Sequence, residues 1–187
     1  MTDPDRDRDR VARDAGRDVV DVSWSDSILT GLLHVEFEPV AGVTTAVVVV
    51  AAAGEDPVAV VSTDLPVPAH GMQMRGPGIW LELICEEPLD HWTVGLEAFG
   101  VTVDDGEEIS VDTRGDLTPI GLDLDLDTVE PGPVEVGDGL SVPLRVHGEV
   151  LLGSERYDID CSGRRSRGEL PAAGLQEIRD RICLPQR

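Results

Sequence analysis

The sequence predicts an all-β fold of antiparallel strands, an up-and-down barrel or a strongly curved sandwich, with a short helix at its C-terminal end. Three observations carry this. From Val19 onward, short β-branched runs are punctuated by Gly, Pro and Asp, the pattern of an all-β chain with many turns. Gly121 to Thr128 reads Gly-Leu-Asp-Leu-Asp-Leu-Asp-Thr, a strict period of two with Leu122, Leu124 and Leu126 on one face and Asp123, Asp125 and Asp127 on the other. Helical spacing of apolar residues is hard to find before residue 170.

Residues 1–18 are dominated by Asp and Arg and have almost nothing to bury, so a disordered charged tail, or an exposed helix-prone one, is expected there. The β domain is predicted over residues 19–170. Leu33 to Glu38 alternates apolar and polar residues, the mark of a half-buried strand. Val43 to Ala53 is β-branched or small throughout, which predicts a strand covered on both faces, and Pro57 to Pro66 follows the Gly54-Glu55-Asp56 turn as its hairpin partner. Val67 to Pro77 holds Pro68, Gly71, Gly76 and Pro77 and reads as a loop or an irregular edge. Gly78 to Glu86 and His91 to Val103 form a second predicted pair about Glu87-Pro88-Leu89-Asp90. Asp104 to Gly115 reads as an acidic loop, Gly121 to Thr128 as a strand, and Glu130 to Gly139 as another loop. Ser141 to Leu152 and Glu155 to Cys161 make a hairpin around Gly153-Ser154. Residues 171–187 are predicted to hold the helix and a tail, with Pro171 at its first position and Leu175, Ile178 and Ile182 on one face.

Composition narrows the partners. The 37 acidic residues exceed the 15 basic ones, all Arg, for a formal charge of −22. That balance argues against nucleic acid, which needs a basic footprint, and disfavours anionic membrane surfaces. The longest apolar run, Ala46 to Ala53, is far too short for a bilayer span. Met1 to Arg17 lacks the apolar core of a secretory signal, so a cytoplasmic location is the expectation. Cys85, Cys161 and Cys183 are odd in number and lack C-x-x-C spacing, so they read as small buried hydrophobes and not as a disulfide framework or zinc site. The ladder of Asp123, Asp125 and Asp127 has strand spacing, which makes it a solvated face and not a calcium loop. Neither a metal nor a cofactor is expected.

Nucleophile-elbow, Walker, dinucleotide and zinc-protease motifs are all missing. The stretch from Gly78 to Phe99 concentrates aromatics and titratable groups. In its first strand Trp80, Glu82, Ile84 and Glu86 share a face opposite Leu81, Leu83 and Cys85. In its second, Trp92, Val94, Leu96 and Ala98 oppose His91, Thr93, Glu97 and Phe99. Glu82, Glu86, His91 and Glu97 are therefore the candidate proton donors or acceptors for a cofactor-free reaction. Trp80, Trp92 and Phe99 are the candidate ligand-binding residues. For each titratable group the competing reading is a solvent-facing charge on a half-exposed strand.

The run from Gly78 to Asp105, including Ile-Cys-Glu-Glu-Pro-Leu-Asp-His-Trp-Thr-Val-Gly-Leu-Glu-Ala-Phe, resembles the N-terminal half of a lipocalin-like family related to hydroxyneurosporene synthase and carotenoid 1,2-hydratase. Pro119 to Leu124 and Val146 to Val150 fit the same pattern, so the resemblance covers roughly residues 28–163. It implies a lipocalin-like antiparallel β-barrel that binds a polyene, terpenoid, polyketide or lipid, and chemistry that adds water or closes rings without a redox cofactor. Family members resemble two barrels in tandem, and this chain has room for the first. In place of the family's His-Ser-Trp-Gly stretch it carries Gly163-Arg164-Arg165-Ser166-Arg167-Gly168-Glu169-Leu170.

The leading expectation is binding of a hydrophobic small molecule, with cyclase or hydratase activity if the chain is an enzyme. The alternative is a noncatalytic half-domain whose apolar edge pairs with a partner or with a second copy as a homodimer.

Overall fold

The computed structural model describes residues 7–12, 16–104, 108–137 and 139–168. Eleven strands follow one another: β1 (Asp18–Ser25), β2 (Leu29–Glu38), β3 (Val43–Ala52), β4 (Val58–Pro66), β5 (Met72–Gly76), β6 (Ile79–Glu87), β7 (His91–Thr102), β8 (Leu117–Thr128), β9 (Val134–Val136), β10 (Gly139–Leu152) and β11 (Glu155–Arg167). All pairings are antiparallel, in the order β4-β3-β2-β1-β11-β10-β8-β7-β6-β5, with β9 added to β10. A further pairing of β4 with β7 closes the strands into a ring. No helix among the described residues is long and apolar enough to cross a membrane. The predicted helix on Leu175, Ile178 and Ile182 lies outside the described residues.

Strand alternation decides what fills the ring. Leu81, Leu96, Leu122 and Val150 stand opposite one another across four strands, and all four are buried in one core with Trp92, Val94, Leu124, Leu126 and Val146. Full burial of each such aliphatic side chain stabilises the fold by about 1.5–3 kcal/mol relative to exposure. The faces read from alternation in β6, β7 and β8 are the faces found. Cys85 and Cys161 pack against this core but are half-buried, short of the full burial expected of them, whereas Cys183 lies outside the described residues.

A second, smaller cluster sits on the outside of the ring. Val48 and Val50 of β3 face the main core, while Val47 and Val49 face outward and are covered by Val103 and Ile109. This accounts for the unbroken apolar run of β3, which is buried on both faces. The chain after β7 folds back because the Val103 N–H donates to the Pro57 carbonyl at 2.9 Å.

Some elements differ from the sequence reading. β5 lies within the stretch read as a loop or irregular edge, at the end of the strand order, its buried Met72 and Met74 hidden among turn residues. β11 runs on to Arg167, well past Cys161, because β1 and β10 both pair with its far half. The charged N-terminal tail reads as a segment with almost nothing to bury. Here Asp7 is fully buried, and Val11 packs into the main core.

Candidate functional site

The ring closes through little hydrogen bonding. β4 meets β7 only at Val58 opposite Thr102 and Ala59 opposite Val101. This approach needs a glycine at position 100, since a Cβ there would come within 2.9 Å of the Ala59 carbonyl oxygen and 2.6 Å of a Val58 methyl. Beyond Ala59 the two strands part. The gap is a half-open cleft of about 350 Å³ lined by Val60, Val61 and Ser62 of β4, by Ile79, Phe99 and Val101, and by Ser110, Val111, Thr113 and Leu117. The 110–117 segment is shaped by a small turn in which the Ser110 N–H donates to Thr113 Oγ1 at 2.8 Å and the Thr113 N–H to the Ser110 carbonyl at 3.2 Å.

Three large apolar side chains at this cleft are solvent-exposed: Phe99 at 58%, Leu117 at 72% and Val111 at 41%. Exposed apolar groups gathered around a concavity mark binding surfaces more often than scattered ones do. The polar side chains of the lining are the hydroxyls of Ser62, Ser110 and Thr113. No carboxylate, imidazole or thiol is among the described lining residues. The described lining is thus suited to hold an apolar molecule.

The residues singled out from sequence are distributed differently from the expectation of one pocket. Of the seven, Phe99 lines the cleft. Trp92 points into the core. Trp80, Glu82, Glu86, His91 and Glu97 lie on the outward face. Glu82 accepts a hydrogen bond from Gln73 Nε2 at 2.8 Å on the exposed surface. Trp80 lies over Gly95, where an added Cβ would meet its ring at 3.1 Å. Glu86 and Glu97 are exposed. The strand faces were legible, but the aromatic and acidic faces of β6 and β7 are on the convex side of the ring, so no enclosed cavity gathers the four candidate acids and bases.

His91 does join a cluster on that convex side. Asp127 Oδ1 lies 2.8 Å from His91 Nδ1, and Asp127 Oδ2 lies 2.8 Å from His147 Nε2. Asp125 Oδ1 is 3.4 Å from His91 Nε2. Register explains the meeting, since His91 stands opposite Asp127 and His147 opposite Asp125. The Asp127 carboxyl is held below the usual carboxylate range, chiefly by its hydrogen bond with His147 against an upward push from burial, with the hydrogen bond to His91 adding a smaller downward contribution. Among the described residues no group of three or more His, Cys, Asp or Glu is placed to hold a metal ion.

One end of the ring interior carries charge. Asp7 and Arg165 are 0% and 1% exposed and form a bidentate pair, Arg165 Nη1 to Asp7 Oδ1 and Nη2 to Oδ2 at 2.8 Å. Asp7 Oδ2 also accepts from Trp92 Nε1 at 3.1 Å and from the Leu89 N–H at 2.6 Å. The guanidinium lies 4.4 Å from the Trp92 ring centroid, within cation–π range. Cys85 Sγ donates to the Asp7 carbonyl at 3.2 Å. Burial, with Asp7 and Asp9 adding to it, pushes the Cys85 thiol up to about 11, and burial pushes Cys161 to about 11 as well. Both cysteines are therefore poor nucleophiles at neutral pH. Sequence reasoning missed this group because its members are 158 positions apart and no local pattern marks them.

Comparison of the chain with protein-family models, with curated proteins and with solved structures finds no match in any of the three.

Proposed function

We propose that this chain is a binding protein of lipocalin-like barrel architecture that takes a neutral or weakly polar hydrophobic molecule, a polyene, terpenoid, polyketide or lipid, into the seam between β4 and β7, and that it carries out no reaction on it. The observation that supports this most is the seam cleft, of ligand size, apolar and bordered by exposed Phe99, Val111 and Leu117. A cyclase or hydratase needs an acid or base within hydrogen-bond reach of the reacting atoms, and among the described lining residues the polar side chains are hydroxyls. Supply of a single small ligand site also suits the size of the gap better than that of a flat protein interface.

Titration with a neutral fluorescent apolar probe, Nile red, tests the reading. The wild type is expected to bind in the micromolar range, and Phe99→Ser combined with Leu117→Ser to lose at least tenfold in affinity with unchanged circular dichroism. Equal binding by both proteins would reject the seam as the site. A dimer that dissociates in the double variant, with no probe bound by either protein, would transfer the same apolar surface to self-association.

A further inference from the structure

We propose that the Arg165 end of the ring interior is a second binding site, for the carboxylate of an apolar monocarboxylic acid, and that residues 7–12 occupy it as a tethered internal competitor. It shares no residue with the seam lining and stands whether or not the seam binds anything.

The donor set is built around a carboxylate. Arg165 supplies two parallel N–H groups, Trp92 an indole N–H and Leu89 a main-chain N–H, all converging on the two oxygens of one acid. An ionised carboxylate accepts that number of bonds, and a guanidinium fork matches its plane. The remaining buried donor, Arg165 Nε, has no hydrogen-bond partner among the described residues. Burying a guanidinium is costly unless its partner is present and well bonded, so this end of the ring requires an anion.

The anion it holds does not come from the strands. The other buried acids are committed elsewhere, Asp18 to Arg167 and the Ala12 N–H, Asp21 to His34. Asp7 arrives on a segment outside the sheet, fixed by Arg167 to the carbonyls of Arg8 and Arg10, each at 2.5 Å. No strand pairing depends on that segment. It presents a carboxylate at Asp7 and an apolar side chain at Val11, buried in the main core, which is the chemistry of a carboxylic acid with a hydrocarbon tail. Val22 and Val142 flank Arg165 in register, so the surface beneath a displaced segment is apolar. A tethered group acts at a millimolar effective concentration, and its removal should expose the affinity it masks.

Calorimetry on the full-length chain provides the test, with decanoate and decan-1-ol as probes. Asp7→Ala is expected to bind decanoate at least tenfold more tightly than the wild type does, and at least tenfold more tightly than it binds decan-1-ol. Asp7→Ala with Arg165→Met should lose that preference for the acid. Equal affinity of Asp7→Ala for acid and alcohol, or no gain over the wild type, overturns the proposal. Should Asp7→Ala not fold, refolding in sodium acetate against sodium chloride decides: recovery in acetate alone supports a carboxylate site, and no recovery in either rejects it.

Discussion

Strand pairing stops at the seam, whereas at the Arg165 end it continues on both sides of Arg165 and residues 7–12 cover the interior, so the chain treats the two places in opposite ways. At the seam, two register pairs between β4 and β7 give way to an apolar gap with exposed Phe99 and Leu117. At the other place a buried ion pair, a Trp N–H and a main-chain N–H lock an irregular segment against the core. An apolar gap costs little when empty, since water wets its rim and no polar group is stranded. A buried guanidinium without its anion costs several kcal/mol. The comparison therefore predicts that changes at the seam alter binding with little effect on stability, and that changes at the Arg165 end alter stability first.

Arg165→Met should produce the largest effect, a loss of about 3–5 kcal/mol in urea denaturation, because it leaves Asp7 buried without its partner. Adding Asp7→Leu should recover most of that loss, since an apolar pair of similar size needs no counter-charge. A double variant as unstable as the single one would show that the pair supports the fold through something other than charge compensation.

Gly100→Ala comes next. Its Cβ would press on the Ala59 carbonyl at 2.9 Å, so the seam must shift, at a cost of about 1–3 kcal/mol by comparison with overpacked cores. The wild-type pairing of Val58 and Ala59 with β7 should then exchange its amide hydrogens faster. Phe99→Ser, on an exposed side chain, should stay within about 0.5 kcal/mol of the wild type while weakening apolar binding.

The smallest expected effect is at the convex His–Asp cluster. The folded-state pKa of Asp127 is lowered, so its stabilising contribution is present above the ordinary value of 3.8 and is lost as pH falls through the lower folded-state value. Both the carboxylate and the imidazoles are partly exposed, which keeps the contribution small. Asp127→Asn should therefore lower stability slightly near pH 7 and converge with the wild type at acid pH, flattening the acid limb of a stability-against-pH curve.

Much of the fold was legible because its information is local. The alternation of Leu122, Leu124 and Leu126 with aspartates, and of Trp92, Val94 and Leu96 with polar neighbours, assigned faces that the register reproduces. Which face is concave was not legible, since that depends on how the sheet curls, and Trp80, Glu82 and Glu97 consequently read as pocket residues when they lie outside. The seam requires β4 to find β7 across β5 and β6, and Gly100 betrays this closeness only once the partner is known. Phe99 was singled out as an aromatic in a rich stretch, and the structure gives it neighbours from three parts of the chain. The burial of Asp7 was the least legible feature. A run of Asp and Arg looks solvated, and only the distant Arg165 turns one of its acids into a core residue.

The most direct test of the central claim is amide chemical-shift mapping of the wild-type chain during titration with a neutral apolar ligand, decan-1-ol. Saturable shifts are expected to be confined to residues 59–62, 78–79, 99–101 and 110–117, with Leu89, Trp92 and Arg165 unmoved. Shifts centred on Leu89, Trp92 and Arg165, or none that saturate, would contradict it.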